Sequence, residues 1–439
     1  MEINIPDSGL PRVVIVGSGF GGIQLAKSLK GKAFEVVLLD RNNYHTFLPL
    51  LYQVATAGLE PDAIAEPVRE IFTRQPHFHF RMAEVLQIDP QHHKLDTSIG
   101  TLHYDYLVLA CGSQANYYGS DELTRHALPM KTVRNALSLR SRLLENSERA
   151  LELTNEQQQL EQMNIIIAGG GPTGVELAGA IAELRDIVLA KDYPELPLKH
   201  MKIHLIEGNN RLLKSMGEDS SRKAHQFLNR MGVTVHLKVM VQSYDGRVVT
   251  LSNGDTHAAK TLFWTAGVEG VLIPGLSPAS VGKGNRYRVN AVNQVEGYEN
   301  VFAIGDNALQ VLPDYPQGLP GLAPPAIQQG QWLAKNLVSI NRQEPLQPFR
   351  YVNKGVMAVI GRNRAVVELP FWHTQGFLAW ILWMGVHLLL LVGFRNKAST
   401  VLNWAVNYFS YSRASRLITR FQNAPVEAVT SVSGASVPL

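Results

Sequence analysis

Two glycine-rich loops contain the first residues of this sequence that could do chemistry. In each loop three glycines recur at the spacing that holds the pyrophosphate of a dinucleotide. A helix-like segment follows each loop, and the apolar run after that segment ends in an acid. The two sets are Gly17, Gly19 and Gly22 with Asp40, and Gly169, Gly171 and Gly174 with Glu207. Because hydride chemistry needs a donor and an acceptor, two such sites predict electron transfer between two bound cofactors.

The members of each set have different expected tasks. The first glycine permits a tight turn, the second lets a pyrophosphate approach the backbone, and the third allows the helix to pack closely on the strand. The helix that follows directs unpaired N–H groups at the phosphates. The acid can accept hydrogen bonds from ribose hydroxyls and would repel a 2′-phosphate, so Glu207 favours NADH over NADPH.

The elements that must position these loops are a strand, a helix and a second strand, and this βαβ pattern occurs twice, over residues 12–40 and 164–207. The repetition predicts an α/β fold with two Rossmann-like units. Residues 132–163 are polar and rich in Leu, Glu, Gln, Arg and Ala, which predicts a helical bridging segment. Further strands are predicted at 106–110, 261–265 and 301–304, and a loop at 312–325.

Composition limits the class of protein. The 439 residues are 45% hydrophobic and 18% charged, which excludes a mainly disordered or coiled-coil chain and allows two or three domains. The single cysteine, Cys111, excludes intramolecular disulfides and chemistry by a cysteine pair. Residues 1–12 show no charged region followed by an apolar run, so we expect no cleaved signal peptide. No histidine grouping has partners at ligand spacing, so we expect no metal site.

The C-terminal tract differs from the rest of the chain. The formal net charge is +4, yet residues 369–426 contain no Asp or Glu and five cations, namely Arg395, Lys397, Arg413, Arg416 and Arg420. The tract also holds four of the six tryptophans, which are Trp372, Trp380, Trp383 and Trp404. An uncharged run over 377–394 is followed by an amphipathic stretch with Val401, Leu402, Trp404 and Tyr408 on one face.

These features favour helices lying in the interface of an anionic membrane. Nucleic acid is disfavoured, because the aromatic residues sit in apolar runs and not between basic residues. Two alternatives stay open. The run over 377–394 could be a single membrane span, or a buried or dimer-forming helix.

Several motifs together resemble the type II (non-pumping) NADH:quinone oxidoreductases of the two-dinucleotide-binding-domain flavoproteins. They are the two glycine loops, residues 40–56 and the C-terminal tract. Residues 301–306 resemble the family's second FAD motif, and residues 107–112 and 263–267 resemble the two motifs at which its chain crosses between the units. The resemblance covers about residues 11 to 420. The cysteine count agrees with it, because related disulfide reductases and sulfide:quinone oxidoreductases need at least two cysteines.

The resemblance implies an NADH unit inserted into an FAD unit, followed by an amphipathic helical membrane module. The expected segments are the FAD unit at 11–130 and 291–370, the NADH unit at 131–290, membrane-associating helices at 371–420 and a flexible tail at 421–439. It also implies FAD and NADH as cofactors, a membrane quinone as acceptor, and transfer of two electrons without proton pumping. We further expect monotopic attachment to the cytoplasmic face of the cell membrane and a homodimer.

Site residues follow from the resemblance. Glu176 would lie where the nicotinamide, flavin and quinone sites meet, and could orient nicotinamide, assist quinone protonation or complement the helix dipole. Cys111 is interpreted as a small buried residue and not as a reactive thiol. The residues expected to bind FAD are Gly17, Gly19, Phe20, Gly21, Gly22, Asp40, Arg41, Cys111, Gly112 and Asp306. Those expected to bind NADH are Gly169, Gly171, Pro172, Thr173, Gly174, Glu207 and Gly267.

The expected quinone site contains one departure from the family pattern, which usually reads Ala-Gln-x-Ala-x-Gln. Here Pro324 replaces the first glutamine, and this removes a donor and an acceptor. We therefore expect the quinone to be held more by shape and apolar contact, as suits a naphthoquinone or plastoquinone. The residues expected at this site are Pro49, Pro324, Ala326, Gln328 and His387, although a satisfied core histidine is the simpler interpretation of His387.

Two other functions remain open at this stage. One is a related reductase with a soluble electron acceptor. The other is an interaction protein that senses redox state by binding NADH.

Overall fold

The computed structural model describes residues 1–410 and 416–419. Arg413, Arg420 and the predicted tail at 421–439 lie outside these residues.

The first nucleotide-binding unit combines a parallel sheet with an antiparallel meander. Its elements are β1 (Arg12–Val16), α1 (Phe20–Ser28), β2 (Glu35–Asp40), β3 (Tyr44–Thr46), α2 (Leu51–Ala55), β4 (Ala65–Pro67), α3 (Val68–Ile71), β5 (Phe78–Met82), β6 (Val85–Asp89), β7 (Lys94–Thr97), β8 (Gly100–His103), β9 (Tyr106–Leu109) and β10 (Ser113–Ala115). β9, β1, β2 and β5 are neighbours in one sheet, and β6, β7 and β8 form the meander. β1, β2 and β9 of the parallel sheet are largely buried, which explains their β-branched and aliphatic sequences.

The second unit repeats this architecture. Its elements are α4 (Asp121–His126), β11 (Leu128–Pro129), α5 (Val133–Leu151), α6 (Glu156–Met163), β12 (Ile165–Ala168), α7 (Pro172–Glu183), α8 (Ala190–Asp192), β13 (Ile203–Glu207), α9 (Glu218–Arg230), β14 (Val233–Leu237), β15 (Val241–Tyr244), β16 (Val248–Leu251), β17 (Thr256–Ala258) and β18 (Thr261–Trp264). The parallel sheet has the order β11–β18–β12–β13–β14, and β15, β16 and β17 form the meander. α5 and α6 confirm the predicted helical segment, and Thr132 begins α5 with a capping box.

The chain then returns to the first unit. The elements of this return are β19 (Val268–Gly270), β20 (Val281–Gly282), β21 (Arg286–Arg288), β22 (Val301–Ala303), β23 (Ala308–Leu309) and α10 (Ala323–Asn341). β22 pairs with β9 at the edge of the first sheet, and β19 pairs with β10. Because both chain crossings lie in this β10–β19 pair, the second unit ends near residue 267 and not at the predicted residue 290.

The C-terminal module begins with a three-stranded sheet of β24 (Val356–Gly361), β25 (Arg364–Leu369) and β26 (Trp372–Gly376). The predicted boundary between residues 370 and 371 falls inside this sheet, because the aromatic composition begins only at its last strand. The helices α11 (Phe377–Leu390) and α12 (Phe394–Ser410) follow. The uncharged run over 377–394 is therefore not one helix, since the chain turns at Gly393, whose φ is +87°. Among the described residues, none of the helices combines the length and the apolar character needed to cross a bilayer.

Candidate functional site

The two glycine loops are built alike. In each loop the acid accepts a hydrogen bond from the residue between the first and second glycines, which is Ser18 or Gly170. An Asp40 carboxylate oxygen accepts hydrogen bonds from the Ser18 N–H at 2.7 Å and the Ser18 hydroxyl at 2.8 Å. In the second loop the Glu207 carboxylate accepts one from the Gly170 N–H at 2.6 Å. Both acids therefore order the loop itself, a role that the glycine and acid spacing does not indicate. Asp40 also accepts a hydrogen bond from the Asn42 N–H, and Glu207 accepts two from Asn209. Each carboxylate therefore keeps about one lone-pair site for a ribose hydroxyl.

The third glycine of each loop packs the helix against the turn, as predicted. A Cβ atom built on Gly22 would lie 2.0 Å from the carbonyl oxygen of Gly17, and one on Gly174 would lie 1.8 Å from that of Gly169. Gly17 and Gly169 have φ values of +109° and +105°, which explains glycine at the first position.

The second glycine of each loop, in contrast, faces open space. The nearest atom to a Cβ built on Gly19 is 4.0 Å away, and nothing lies within 4 Å of one on Gly171. Both residues are extended and precede the first residues of α1 and α7, Phe20 and Pro172. Thr173 follows in the first turn of α7. These open cradles at helix N-termini fit the phosphates of a dinucleotide.

Asp306 lies in the 3₁₀ turn after β22 and belongs to a hydrogen-bonded chain. Its carboxylate accepts a hydrogen bond from the Ser113 hydroxyl at 2.6 Å, which in turn accepts one from the Lys131 ammonium at 2.9 Å. Burial lowers the pKa of Lys131, while the charge of Asp306 opposes that shift. Ser113 and Lys131 were missed from the sequence, because neither belongs to a motif and both contacts join distant segments.

The remaining residues predicted for the FAD site differ in character. The Cys111 thiol donates a hydrogen bond to the Val16 carbonyl at 3.6 Å, and burial raises the pKa of this thiol to about 12. The residue as a whole is only partly buried, but its thiol is enclosed, which agrees with an unreactive cysteine. Gly112 has a φ of +73°, Gly21 packs on Ile304, and the exposed Arg41 pairs with Glu84 at 3.5 Å.

Gly267 marks the second crossing between the units. A Cβ atom on this glycine would lie 2.3 Å from the hydroxyl of Tyr118. That hydroxyl donates a hydrogen bond to the Ala266 carbonyl at 2.9 Å. The small residue at position 267 therefore lets the two crossing segments approach each other.

Glu176 lies on α7, where this helix contacts the C-terminal module. Gly179 makes the close approach possible, because a Cβ atom there would lie 1.6 Å from the Ile360 carbonyl oxygen on β24. The Glu176 carboxyl is buried and accepts a hydrogen bond from the Val359 N–H at 3.4 Å. Burial raises the pKa of Glu176 to about 8, against a smaller opposing effect of that hydrogen bond. The carboxyl group is therefore mainly protonated at neutral pH.

Glu176 also lines a cavity of about 140 Å³ between α2, α7, β24 and the C-terminal helices. Its wall includes aromatic side chains of α11 and α12 together with polar groups of α2 and α7. The residues that matter here are Gln53, Glu176, Glu183, Trp380, Trp383, Trp404 and Tyr408. The Trp404 indole N–H donates a hydrogen bond to the Gln53 side-chain oxygen at 2.9 Å, which joins α12 to α2.

The five residues predicted for the quinone site do not line this cavity. The Gln328 side chain makes two hydrogen bonds of 2.9 Å with the Val352 backbone, one as donor and one as acceptor. These bonds attach the segment before the C-terminal module to α10. Pro324 is in the first turn of α10, which begins within the predicted loop, and Ala326 is buried beside Gly305 and Gly21. Pro49 lies in the 3₁₀ turn Leu48–Leu50.

His387 is buried on α11 and connects the first glycine loop with the cavity wall through aromatic contacts. Its ring packs edge-on to Phe47, with 6.1 Å between the ring centroids, and stacks on Trp383, with 4.1 Å between the centroids. Phe47 in turn packs on Phe20 of the first glycine loop, with 5.7 Å between the ring centroids. Burial lowers the pKa of His387 to about 4, and its Nδ1 lies 2.7 Å from the Trp383 carbonyl oxygen. His387 is therefore a neutral core histidine whose Nδ1 has a hydrogen-bond partner.

The amphipathic face predicted for α12 is split. Trp404 and Tyr408 line the cavity, whereas Val401 and Leu402 are exposed. Two cations of the tract pair with acids from outside it. Arg416 forms an ion pair with Asp192 at 2.5 Å, and Arg395 forms one with Asp62 at 3.6 Å. Both acids belong to the nucleotide-binding units.

Two family models match the chain. One described as pyridine nucleotide-disulphide oxidoreductase matches residues 11–330, and one described as NDH2 C-terminal domain matches residues 353–413. Among curated relatives, the chain is 34% identical to type II NADH:quinone oxidoreductase NdhA of Mycobacterium tuberculosis, over 94% of this chain and 90% of the relative. It is 32% identical to the type II enzyme Ndh of the same organism, over 93% and 90%.

Solved structures share the fold. NDH2 from Plasmodium falciparum in complex with NADH superposes with a TM-score of 0.85 at 18% identity, over 93% of this chain and all of the other. The sulfide:quinone oxidoreductase of Aquifex aeolicus gives a TM-score of 0.68 at 19% identity, over 91% and 95%.

Proposed function

The chain belongs to the pyridine nucleotide-disulphide oxidoreductases and, within them, to the type II NADH:quinone oxidoreductases. From this premise we propose that it transfers two electrons from NADH through FAD to a membrane quinone without pumping protons. The observation that carries the proposal is the position of Glu176, on the helix that begins at the second glycine loop and in the wall of a cavity lined by aromatic side chains. When bound, FAD supplies the redox chemistry that joins the two substrates.

The first loop is the FAD site in this proposal. Gly19 and the N-terminus of α1 would receive the pyrophosphate, and the lone pair that Asp40 keeps free would accept a ribose hydroxyl. Asp306, held by Ser113 and Lys131, is the acid for the ribityl chain. The second loop holds NADH in the same way, with Gly171 at the pyrophosphate and Glu207 at the ribose. Glu207 disfavours NADPH, because a 2′-phosphate would approach a buried carboxylate.

The cavity between α7 and the C-terminal helices is the quinone site. Its aromatic wall suits an apolar ring, and Gln53 offers an amide at the same wall. Reduction of a quinone to a quinol consumes two protons, and the protonated Glu176 carboxyl can donate one. Pro324 is not in this wall, so its effect on quinone binding, and a quinone held mainly by shape and apolar contact, both stay predictions.

Anaerobic titration tests the function. The purified yellow protein should be bleached by NADH, and a menaquinone or ubiquinone analogue should restore the flavin absorbance. Steady-state turnover far above one equivalent would exclude the redox-sensing alternative. Reoxidation by a soluble acceptor protein but by no quinone would overturn the proposal.

We further propose that the protein attaches to an anionic membrane surface through α11 and α12. Several of their leucines are exposed, including Leu378, Leu389 and Leu402, of which Leu389 is 77% exposed. We expect the triple variant Leu378→Ser, Leu389→Ser, Leu402→Ser to bind vesicles of phosphatidylglycerol and phosphatidylcholine about 100-fold more weakly, because each leucine loses its apolar transfer energy. Co-sedimentation with vesicles measures the change.

A matched triple variant controls for this result. Leu86, Ile99 and Leu151 are exposed outside the C-terminal module, and their substitution by serine should leave vesicle binding intact. Equal loss in both triple variants would contradict attachment through α11 and α12. The homodimer and the cytoplasmic face stay predictions.

A further inference from the structure

Three histidines from three strands meet at one side of the second nucleotide-binding unit. His204 lies on β13 and His236 on the neighbouring β14, two residues further along the register, so both side chains are on the same face of the sheet. His257 comes from β17, at the edge of the meander that covers this face. One ring nitrogen from each histidine lies within 4.8 Å of the other two.

The cluster is not explained by its hydrogen bonds. His204 Nδ1 and His236 Nε2 are 2.9 Å apart, so one donates to the other. The Nε2 of His257 is buried and has no hydrogen-bond partner among the described residues. A buried polar atom without a partner is costly, so an unpaired nitrogen beside two other imidazoles points to a missing ligand.

The three rings are also in the protonation state that binds metals. Burial lowers the pKa of His204 to about 3, and the other two histidines contribute. Burial also lowers the pKa values of His236 and His257. Neutral imidazoles carry a free lone pair at physiological pH, which is the form that coordinates a metal ion.

The spacing is close to that of a coordinated set. With Zn–N bonds of about 2.0–2.1 Å, the nitrogens of a tetrahedral site lie about 3.3 Å apart. The nitrogen pair of His204 and His236 is already closer than this, and because all three nitrogens lie within 4.8 Å of one another, no pair needs to close by more than about 1.5 Å. His236 and His257 are only half-buried, so water can reach the remaining position.

We propose that His204, His236 and His257 form a binding site for a divalent transition-metal ion such as Zn²⁺, with water as the fourth ligand. An all-imidazole set selects Zn²⁺, Cu²⁺ or Ni²⁺ over Mg²⁺ and Ca²⁺, which prefer oxygen ligands. The ion would join the parallel sheet to the meander. Nearby charges act in both directions, since Asp255 favours a cation beside His257 and Lys202 opposes it.

Calorimetric titration of the full-length, flavin-loaded protein tests the site. After removal of metals with EDTA and dialysis, we expect one Zn²⁺ to bind per chain and to raise the unfolding temperature. Mg²⁺ should do neither. The single variants His204→Gln, His236→Gln and His257→Gln should each bind Zn²⁺ at least about tenfold more weakly.

Two further variants separate loss of a ligand from loss of the fold. His103→Gln removes an exposed histidine in the other unit and should bind Zn²⁺ as the wild type does. His257→Cys should retain binding, because a thiolate is also a zinc ligand. The proposal is overturned if the wild type binds no Zn²⁺, or if removing His257 leaves the affinity and the unfolding temperature with Zn²⁺ unchanged.

Discussion

The substitution Glu176→Gln is expected to slow quinone reduction by about 100-fold, because it removes a proton donor from the cavity wall without changing the shape of the side chain. Electron transfer from NADH to ferricyanide, which takes up no proton, should stay near the wild-type rate. The flavin content should also stay the same. Steady-state rates with the two acceptors, measured on the same preparation, give the comparison.

The pH dependence follows from the raised pKa of Glu176. Wild-type quinone reduction should fall as pH rises through about 8, where the buried carboxyl group loses its proton. Between its ordinary pKa of 4.5 and about 8, the folded state holds a proton that the unfolded state has released, so the wild type loses stability as pH rises through this window. Glu176→Gln should weaken both dependences.

Glu183 provides the matched control. It lies on α7, lines the same cavity and accepts a hydrogen bond from the Arg362 backbone N–H. Glu183→Gln should lower quinone reduction by less than about fivefold and keep the fall above pH 8. If both variants lost quinone reduction equally, or if Glu176→Gln also stopped ferricyanide reduction, proton donation by Glu176 would be wrong.

The glycine loops could be predicted from sequence because their geometry is local. The turn at Gly17 and the contact between Gly22 and the Gly17 carbonyl involve residues five positions apart. The same spacing recurs in the second loop, so the prediction of both βαβ units was correct. The crossing motifs were also recognised, although the predicted boundary at residue 290 was placed too late, since pairing of β10 with β19 cannot be read from either strand alone.

The missed features depend on contacts between distant segments. Gln53 belongs to a recognised motif, but its contact with Trp404 appears only when α12 packs on α2. Nor does the spacing of His204, His236 and His257 along the chain indicate a cluster, because sheet register and the covering meander bring them together. The acidic partners of Arg395 and Arg416 were missed because they come from other units.

The second large effect is expected from the open glycines of the two loops, Gly19 and Gly171. Because no protein atom lies closer than 4.0 Å to a Cβ atom built at either position, substitution should impair ligand binding and leave the packing of the loop intact. Gly171→Val should raise the KM for NADH by about 100-fold, since it displaces the charged pyrophosphate from the backbone N–H groups. Its flavin content and unfolding temperature should not change. Gly19→Val should instead yield a colourless protein.

Substitution of the third glycines separates ligand approach from packing. Gly22→Ala and Gly174→Ala place a Cβ atom within 2.0 Å of a loop carbonyl oxygen, so both should lower the unfolding temperature whether or not a ligand is present. The four variants are compared by flavin absorbance after gel filtration, KM for NADH and thermal unfolding. If Gly171→Val lost flavin while Gly19→Val retained it, the two loops would have exchanged cofactors, and Glu176 would then lie on the helix of the FAD loop.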